Sequence, residues 1–288
     1  MERNIIQLAK STLVVSLPKA WLEKQGIHKG DKVSLDEKED RIVIRSGKKK
    51  KASIALDIKK GQTFTSRHVA DLYIRGFDEV KISFKDESVM RSIEKEDLLG
   101  FEIVERSKQY VVIRNVASGI EDELDTMLRR SFILCKEMGA IVSKGKLTDE
   151  DVEELLSLEN MVNKFTSFCK RVLNKNGYHP AHKMAYLYVI AKDLEVVGDI
   201  YKYIIQDTTT LNKKETAYIL QVNEYVQQLY DLFYTFDEKI VTSMGSHKEK
   251  LLKEGRELVK KGSIVGHHGL DLVLLVTSMK GPIITMNF

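Results

Sequence analysis

The stretch STLVVSLPKAWLEKQG, residues 11–26, decides the fold of the N-terminal region. The apolar run from Leu13 to Val15 is followed almost at once by Pro18 and a short amphipathic segment that ends before Gly26. Proline suits the first turn of a helix, where its missing N–H costs no hydrogen bond, and glycine suits the left-handed position that ends one. The stretch therefore predicts a short strand that leads directly into a short helix.

Further strand-like segments flank this stretch. Residues 4–8 precede it, and residues 32–37 and 41–46 follow it as the two arms of a predicted hairpin. Apolar and polar residues alternate along both arms, which is typical of a hairpin with one buried face. A unit of about 45 residues has too little core to bury these apolar residues by itself.

Charge is unevenly distributed along the 288 residues. The whole chain carries a formal charge of +4, whereas residues 1–52 contain 13 Lys and Arg and 7 Asp and Glu, a net charge of +6. The remaining 236 residues therefore carry a net charge of −2. A basic N-terminal region on a mildly acidic remainder suggests nucleic acid as a partner for that region alone, with an ordinary solvated surface as the alternative.

The spacing of apolar residues divides the rest of the chain into three segments. Residues 47–52 form a Lys-rich segment that we interpret as a linker. Residues 53–117 alternate strand and helix patterns in the order β-α-β-α-β-β, a small α/β unit. Residues 118–288 are helical almost throughout, and six amphipathic segments joined by short turns predict an antiparallel bundle. These segments are 119–143, 148–174, 179–207, 212–243, 247–262 and 266–280.

Several classes of protein are not indicated. The sequence shows no secretory signal, and its apolar stretches fall short of the roughly 18 residues needed to span a bilayer, so we expect no membrane insertion. Cys135 and Cys169 are isolated, as expected of reduced thiols in a cytoplasmic protein. No nucleophile elbow, phosphate loop or zinc-protease motif is present, so we expect no enzymatic activity.

The N-terminal region resembles the AbrB/SpoVT swapped-hairpin DNA-binding domains over about 45 residues. The resemblance is carried by Leu13-Val14-Val15, Leu17-Pro18-Lys19, Leu22, Gly26-Ile27 and Gly30-Asp31. It implies a swapped-hairpin β-barrel, a homodimer and a basic face that approaches DNA. The DNA-binding candidates on that face are Arg3, Lys10, Lys19 and Lys24.

The match departs from the AbrB pattern at one place. That family carries an adjacent arginine pair on the short helix, where this sequence has Leu22 and Glu23. Arginine reads bases better than lysine does, because its planar guanidinium forms two parallel hydrogen bonds. A domain that dimerises without contacting DNA is therefore the alternative interpretation.

The helical region resembles the PhoU family of phosphate-uptake regulators. Leu194-Glu195-Val196-Val197-Gly198-Asp199 is similar to the Leu-Glu-Arg-Ile-Gly-Asp signature of that family. The resemblance implies a surface site for a divalent or ferric ion, iron or zinc. Its candidate ligands are Glu195 and Asp199, four residues apart on one helical face, together with Glu159. Ordinary ion pairs with Lys192 and Lys202 are the alternative role for these acids.

These observations predict a multidomain α+β protein with four segments. They are an AbrB/SpoVT-like domain (1–46), the Lys-rich linker (47–52), the small α/β unit (53–117) and a PhoU-like six-helix bundle (118–288). Such a combination is seen in archaeal regulators, and the two resemblances together imply a homodimer that binds DNA and senses the state of phosphate uptake through a phosphate transporter ATPase or a sensor protein. The alternative is an adaptor that dimerises through the N-terminal domain, restrains the transporter or its sensor by contact and never binds DNA.

Overall fold

The computed structural model of the chain describes residues 2–38, 41–46, 51–59, 62–117 and 119–288. The chain forms two compact units, residues 1–51 and residues 52–288, which we call the head and the body. The predicted hairpin turn at Glu39 and Asp40 and most of the predicted linker, Gly47 to Lys50, lie outside the described residues.

The head contains short strands around one short helix, as the sequence predicts. Its elements are β1 (Ile6–Ala9), β2 (Thr12–Val14), α1 (Lys19–Gln25), β3 (Val33–Lys38) and β4 (Arg41–Ser46). Strands β1 and β2 pair antiparallel with Ile6 opposite Val14, and β3 and β4 pair antiparallel with Leu35 opposite Ile44. Gly26 ends α1 in the left-handed conformation at a φ of 63°, so that part of the prediction is confirmed.

The predicted barrel is not formed by the described residues of one head. The strands make two separate two-stranded sheets, β1-β2 and β3-β4, and both sheets are open. Two open hairpins of this size have too few strands to close a barrel, which needs each sheet edge to find a partner. Pro18 is also one position earlier than expected: it precedes α1, and its carbonyl accepts from the N–H groups of Trp21 and Leu22.

The first part of the body is the predicted α/β unit, and its order of elements is confirmed. They are β5 (Ser53–Ile58), α2 (Ser66–Ile74), β6 (Glu79–Phe84), α3 (Glu87–Glu94), β7 (Phe101–Arg106) and β8 (Tyr110–Asn115). The four strands form one sheet in the order β5-β6-β8-β7, in which β5 and β6 run parallel. Tyr73 of α2 is fully buried with Ile82 of β6 in the core of this unit.

Six long helices follow among the described residues. They are α4 (Leu124–Val142), α5 (Asp149–Asn176), α6 (Met184–Asp207), α7 (Lys213–Tyr234), α8 (Glu238–Lys260) and α9 (Ile264–Asn287), with short 3-10 turns at Ile120–Glu123 and Ala181–Lys183. They pack around one large apolar core that includes Cys135 and Cys169. Apolar residues that recur every three or four positions along the predicted segment 179–207 form the seam of α6, and all six are buried: Leu187, Ile190, Leu194, Val197, Tyr201 and Ile204.

Two of the predicted helix boundaries are wrong. The fourth predicted segment, 212–243, divides at residues 235–237, because Asp237 caps a new helix by accepting from the N–H of Lys239. Gly245, which lies in the gap between the predicted segments 212–243 and 247–262, is inside α8, and none of the described atoms would lie within 4 Å of a Cβ added there. A side-chain cap ends and restarts the backbone hydrogen bonds there, whereas an isolated glycine only weakens a helix.

The last helix, α9, is longer than expected because it continues through Pro282 to Asn287. By length and composition it is able to cross a membrane, so the expectation that no apolar stretch reaches this length is wrong. Core helices of globular proteins meet the same criteria, and α9 packs against α6, α7 and α8. Of the most apolar 18-residue part of α9, 39% is buried within the chain.

Candidate functional site

The four DNA-binding candidates all lie on the surface of the head. Arg3 precedes β1, and Lys10 occupies the tight turn between β1 and β2, where Gln7 Nε2 donates to its carbonyl over 3.3 Å. Lys19 begins α1, and Lys24 lies in its last turn. Each of the four side chains is exposed, so all of them are able to meet a ligand from solvent.

The two lysines of α1 do not share one face of the helix. Lys19 and Lys24 are five residues apart, which at 3.6 residues per turn separates their directions by about 140°. Lys19 Nζ also lies 3.8 Å from Glu23 Oε1, an exposed pair one turn along the helix. The structure therefore presents Lys19 and Lys24 as two separate positive positions rather than as one clamp.

The apolar strands of the head are exposed in the single chain. Leu8 is 73% exposed and Leu13 is 68% exposed, and none of the head residues whose burial the structure describes is buried. Large apolar side chains are seldom left in water over so much of a small unit. The other exposed large apolar residues of the head are Ile5, Ile6, Val15, Leu35 and Ile42.

Two of the metal-ligand candidates in the body share a lysine. Lys202 Nζ lies 2.6 Å from Glu159 Oε1 and 2.5 Å from Asp199 Oδ1, so it bridges α5 and α6. Asn163 Nδ2 also donates to Glu159 Oε1 over 2.8 Å. Burial alone would lower the pKa of Lys202, but its hydrogen bonds to the two carboxylates raise that pKa above the ordinary value. The ammonium group of Lys202 thus occupies the position that a metal ion bound by both carboxylates would take.

The third candidate, Glu195, faces a different set of partners. It forms an ion pair with Lys170 of α5, and Arg67 Nη1 of α2 donates to Glu195 Oε1 over 3.3 Å. Burial alone would raise the pKa of Glu195, but Lys170 first and then Arg67 outweigh burial and hold the pKa below its ordinary value of 4.5. Glu195 therefore joins the α/β unit to the helices.

The structure does not bring the three acids into one cluster. Among residues 2–38, 41–46, 51–59, 62–117 and 119–288, no group of three or more His, Cys, Asp or Glu side chains is placed to hold a metal ion. The expected pair between Lys202 and Asp199 is confirmed, whereas Lys192 pairs with Asp193 at 3.1 Å instead of with Glu195.

A buried arginine that the sequence pattern did not single out organises the same interface. Arg171 of α5 is 4% exposed and donates to the carbonyls of Tyr73 and Phe77, over 2.7 and 2.8 Å. It also donates to Asp78 Oδ1 over 3.1 Å, and its guanidinium lies 4.7 Å from the centre of the Tyr73 ring. The sequence does contain a sign of this site: Lys170 and Arg171 are two adjacent cations that interrupt the apolar pattern of α5.

Comparison with known proteins found a match to the head. Residues 6–52 match the family model described as antidote-toxin recognition MazE, bacterial antitoxin. The match supports an AbrB/SpoVT-like domain of the swapped-hairpin type at the N-terminus. No curated protein and no solved structure matches the chain. The resemblance of the body to the PhoU family accordingly rests on its sequence, namely the motif at residues 194–199, Glu159 in an upstream helix and the six helical segments.

Proposed function

We propose that the chain is a homodimeric DNA-binding regulator whose head contacts DNA and whose body receives the signal. The observation that carries the proposal is the match of residues 6–52 to a swapped-hairpin family model. Domains of this type commonly dimerise and bind DNA. The exposed apolar strands of the head support the dimer, because a second head would cover them.

The chemistry of the head supports DNA as its ligand. Lysine and arginine side chains neutralise backbone phosphates and release condensed counterions, which gives sequence-independent affinity. Lys10 in the β1–β2 turn and Lys19 at the start of α1 extend from the surface without burying their ammonium groups. A dimer would present two copies of each position and so a wider basic surface than one chain offers.

Regulation of phosphate uptake is the more specific part of this proposal. It is supported by the resemblance of residues 194–199 to the PhoU signature, and it implies a cytoplasmic protein that contacts a phosphate transporter ATPase or its sensor. A bound iron or zinc ion would have Glu159 and Asp199 as its nearest shared ligands. That ion would have to displace Lys202 Nζ, which now bridges the two carboxylates.

DNA binding is tested by a salt series with fluorescent duplexes. One duplex comes from upstream of the host's phosphate-transport genes, and the other has a scrambled sequence. We expect log Kd to rise linearly with log salt concentration. The Lys10→Ala/Lys19→Ala variant should bind more weakly, with a slope reduced by about 2 if each of the two lysines makes one phosphate contact. Tighter binding of the upstream duplex would support sequence recognition.

The matched control removes the same charge from the same head. Lys29→Ala/Lys32→Ala replaces two exposed lysines that we do not assign to DNA. If both double variants weaken binding equally, the assignment to Lys10 and Lys19 is wrong. Absence of binding to either duplex at low salt would refute the DNA-binding proposal itself.

A dimeric adaptor that never contacts DNA is the second candidate. It is favoured by Leu22 and Glu23, which occupy the helix positions where AbrB-type domains carry an arginine pair. The two candidates differ in one outcome of the salt series. An adaptor remains dimeric but binds neither duplex, and the search for its partners then moves to transporter and sensor proteins.

A further inference from the structure

A groove between α7 and α8 of the body has the features of a ligand site. Its volume is about 470 Å³, within the range typical of small-molecule sites. Apolar parts of Ala217 and Leu258 line it together with the ring of Tyr218. The groove lies entirely in the body, so its ligand does not depend on what the head binds.

The charged side chains around this groove leave an excess of positive charge. Four lysines and two glutamates line it: Lys214, Lys250, Lys253, Lys261, Glu254 and Glu257. Glu254 is already engaged, because Gln221 Nε2 donates to its Oε2 over 3.1 Å and Lys250 lies 3.9 Å from its Oε1. The groove therefore carries two more cations than anions.

Three of the groove lysines have no close anionic partner. Within the part of the chain that the structure describes, Lys214, Lys253 and Lys261 form no ion pair within 4.0 Å. Glu257 accepts at 3.0 Å from Lys260, which lies outside the groove lining. The hydrogen bond from Lys260 is the largest influence that lowers the pKa of Glu257, and Lys261 and Lys253 add a longer-range attraction.

Two residues of the groove lining each have a buried polar atom without a hydrogen-bond partner among the described residues. These atoms are the hydroxyl oxygen of Tyr218 and Oε1 of Gln221. Tyr218 is 2% exposed, and its hydroxyl lies against Gly255 of α8, where an added Cβ would come within 2.3 Å of it. Burial raises the pKa of Tyr218, so the hydroxyl keeps its proton at neutral pH and remains a donor. A buried donor without an acceptor is costly and indicates a partner supplied from outside the chain.

We propose that this groove binds a small molecule carrying a phosphate-type dianion. Lys214, Lys253 and Lys261 would surround the anion, whose two charges match the excess of the groove. The Tyr218 hydroxyl would donate a hydrogen bond to the same ligand, and the apolar lining would contact its uncharged part. A charge-assisted hydrogen bond and three ammonium groups favour a dianion over a neutral ligand or a single carboxylate.

Titration calorimetry on the full chain tests the proposal with two probes, AMP and inorganic phosphate, at constant ionic strength. We expect at least one probe to bind with a Kd of about 1 mM or tighter. Preference for AMP would identify a phosphomonoester and preference for inorganic phosphate the free anion, and both results support a phosphate-type site. Absence of binding by both probes would overturn it.

The variants separate the groove from general positive charge. Lys253→Ala/Lys261→Ala should weaken probe binding by about tenfold or more, whereas Lys146→Ala/Lys239→Ala, which removes two exposed lysines of the body outside the groove, should change it less than about twofold. Equal effects of the two variants would contradict the proposal. Tyr218→Phe removes the hydroxyl alone; it should weaken binding about tenfold without lowering the Tm, because the unpaired donor disappears.

Two further measurements separate binding at the groove from binding of DNA. The head variant Lys10→Ala/Lys19→Ala should bind the probes as the wild type does, so failure of the DNA proposal and failure of this one are distinguishable. If neither probe binds but Lys253→Ala/Lys261→Ala weakens binding of a DNA duplex, the groove is a nucleic-acid contact. The small-molecule proposal would then be wrong.

Discussion

Arg171 and Glu195 show how the body uses charge in its interior. Arg171 stays buried because two backbone carbonyls, a carboxylate and an aromatic face satisfy its guanidinium. The Glu195 side chain is only 18% exposed, because Arg67 of α2 covers it on the side of α6 that lies away from the apolar core of the helices. Charges of this kind are tolerated in an interior only when they are paired and hydrogen-bonded.

The pairing of Glu195 makes part of the stability pH-dependent. Its pKa in the folded chain lies below the ordinary value of 4.5, so its contribution is fully present above pH 4.5 and is lost as the pH falls through the lower folded pKa. At pH 7 we expect Glu195→Gln to reduce the free energy of unfolding by about 2 kcal/mol. This value lies between the loss expected for breaking an exposed ion pair and the loss expected for breaking a buried one. Urea unfolding at pH 7 and pH 3 should show this difference shrinking in acid.

Glu137→Gln is the control for that measurement. Glu137 is largely exposed and lies 4.0 Å from Arg130 Nη1, so its replacement should change the unfolding free energy by less than about 1 kcal/mol at either pH. A Glu195→Gln difference that stays constant between pH 7 and pH 3 would show that its ion pairs are not the cause.

At the scale of single elements, the pattern of apolar residues predicted the helices better than their ends. The seam of α6 and the order of elements in the α/β unit follow directly from the spacing of apolar residues, because one face of each helix or strand packs in the core and the opposite face is more polar. The ends depend on local hydrogen bonds. Asp237 starts α8 through a cap that its apolar pattern does not reveal, and α9 continues past Pro282 within a packed bundle.

Two glycines of α8 differ in what surrounds them, and this leads to opposite predictions. A Cβ at Gly255 would lie 2.3 Å from Tyr218 Oη and 2.6 Å from Leu270 Cδ2, whereas none of the described atoms approaches within 4 Å of a Cβ at Gly245. We expect Gly255→Ala to destabilise the chain by about 1–3 kcal/mol through overpacking against α7 and α9. Gly245→Ala should stabilise it by about 0.5–1 kcal/mol through helix propensity.

Chemical denaturation of the two alanine variants checks both signs in one helix. Similar changes in the unfolding free energy for both variants would mean that α8 does not approach α7 and α9 as closely as the structure shows. The comparison holds the residue change and the helix constant, so only the surroundings of the glycine vary.

At the scale of the whole molecule, the head is incomplete as a single chain. Its four described strands expose large apolar side chains on two open hairpins, and we expect a second copy to supply the missing core. We expect the full chain to be a dimer at micromolar concentration by light scattering coupled to size exclusion. Leu13→Glu should shift it to monomer, because the carboxylate would be buried at the interface.

Leu220→Glu provides the matched control in the body. Leu220 is an exposed leucine of α7, 49% accessible, and the same change there should leave the dimer intact. A wild-type chain that runs as a monomer would contradict the proposed pairing of heads. A dimer that both variants leave intact would place the interface elsewhere.

The sequence by itself determined the elements and their order: the strand–helix–hairpin head, the β-α-β-α-β-β unit and six helices with the buried seam of α6. These follow from local periodicity and from residues such as Gly26, whose backbone preference acts over a few positions. Only the tertiary structure decided which charges meet. Lys202 reaches Glu159, and Arg171 reaches Asp78, because residues 43 and 93 positions apart come within hydrogen-bond distance only after packing. The α7–α8 groove was likewise decided by packing, as was the buried Tyr218 hydroxyl, which has no hydrogen-bond partner in the part of the chain that the structure describes.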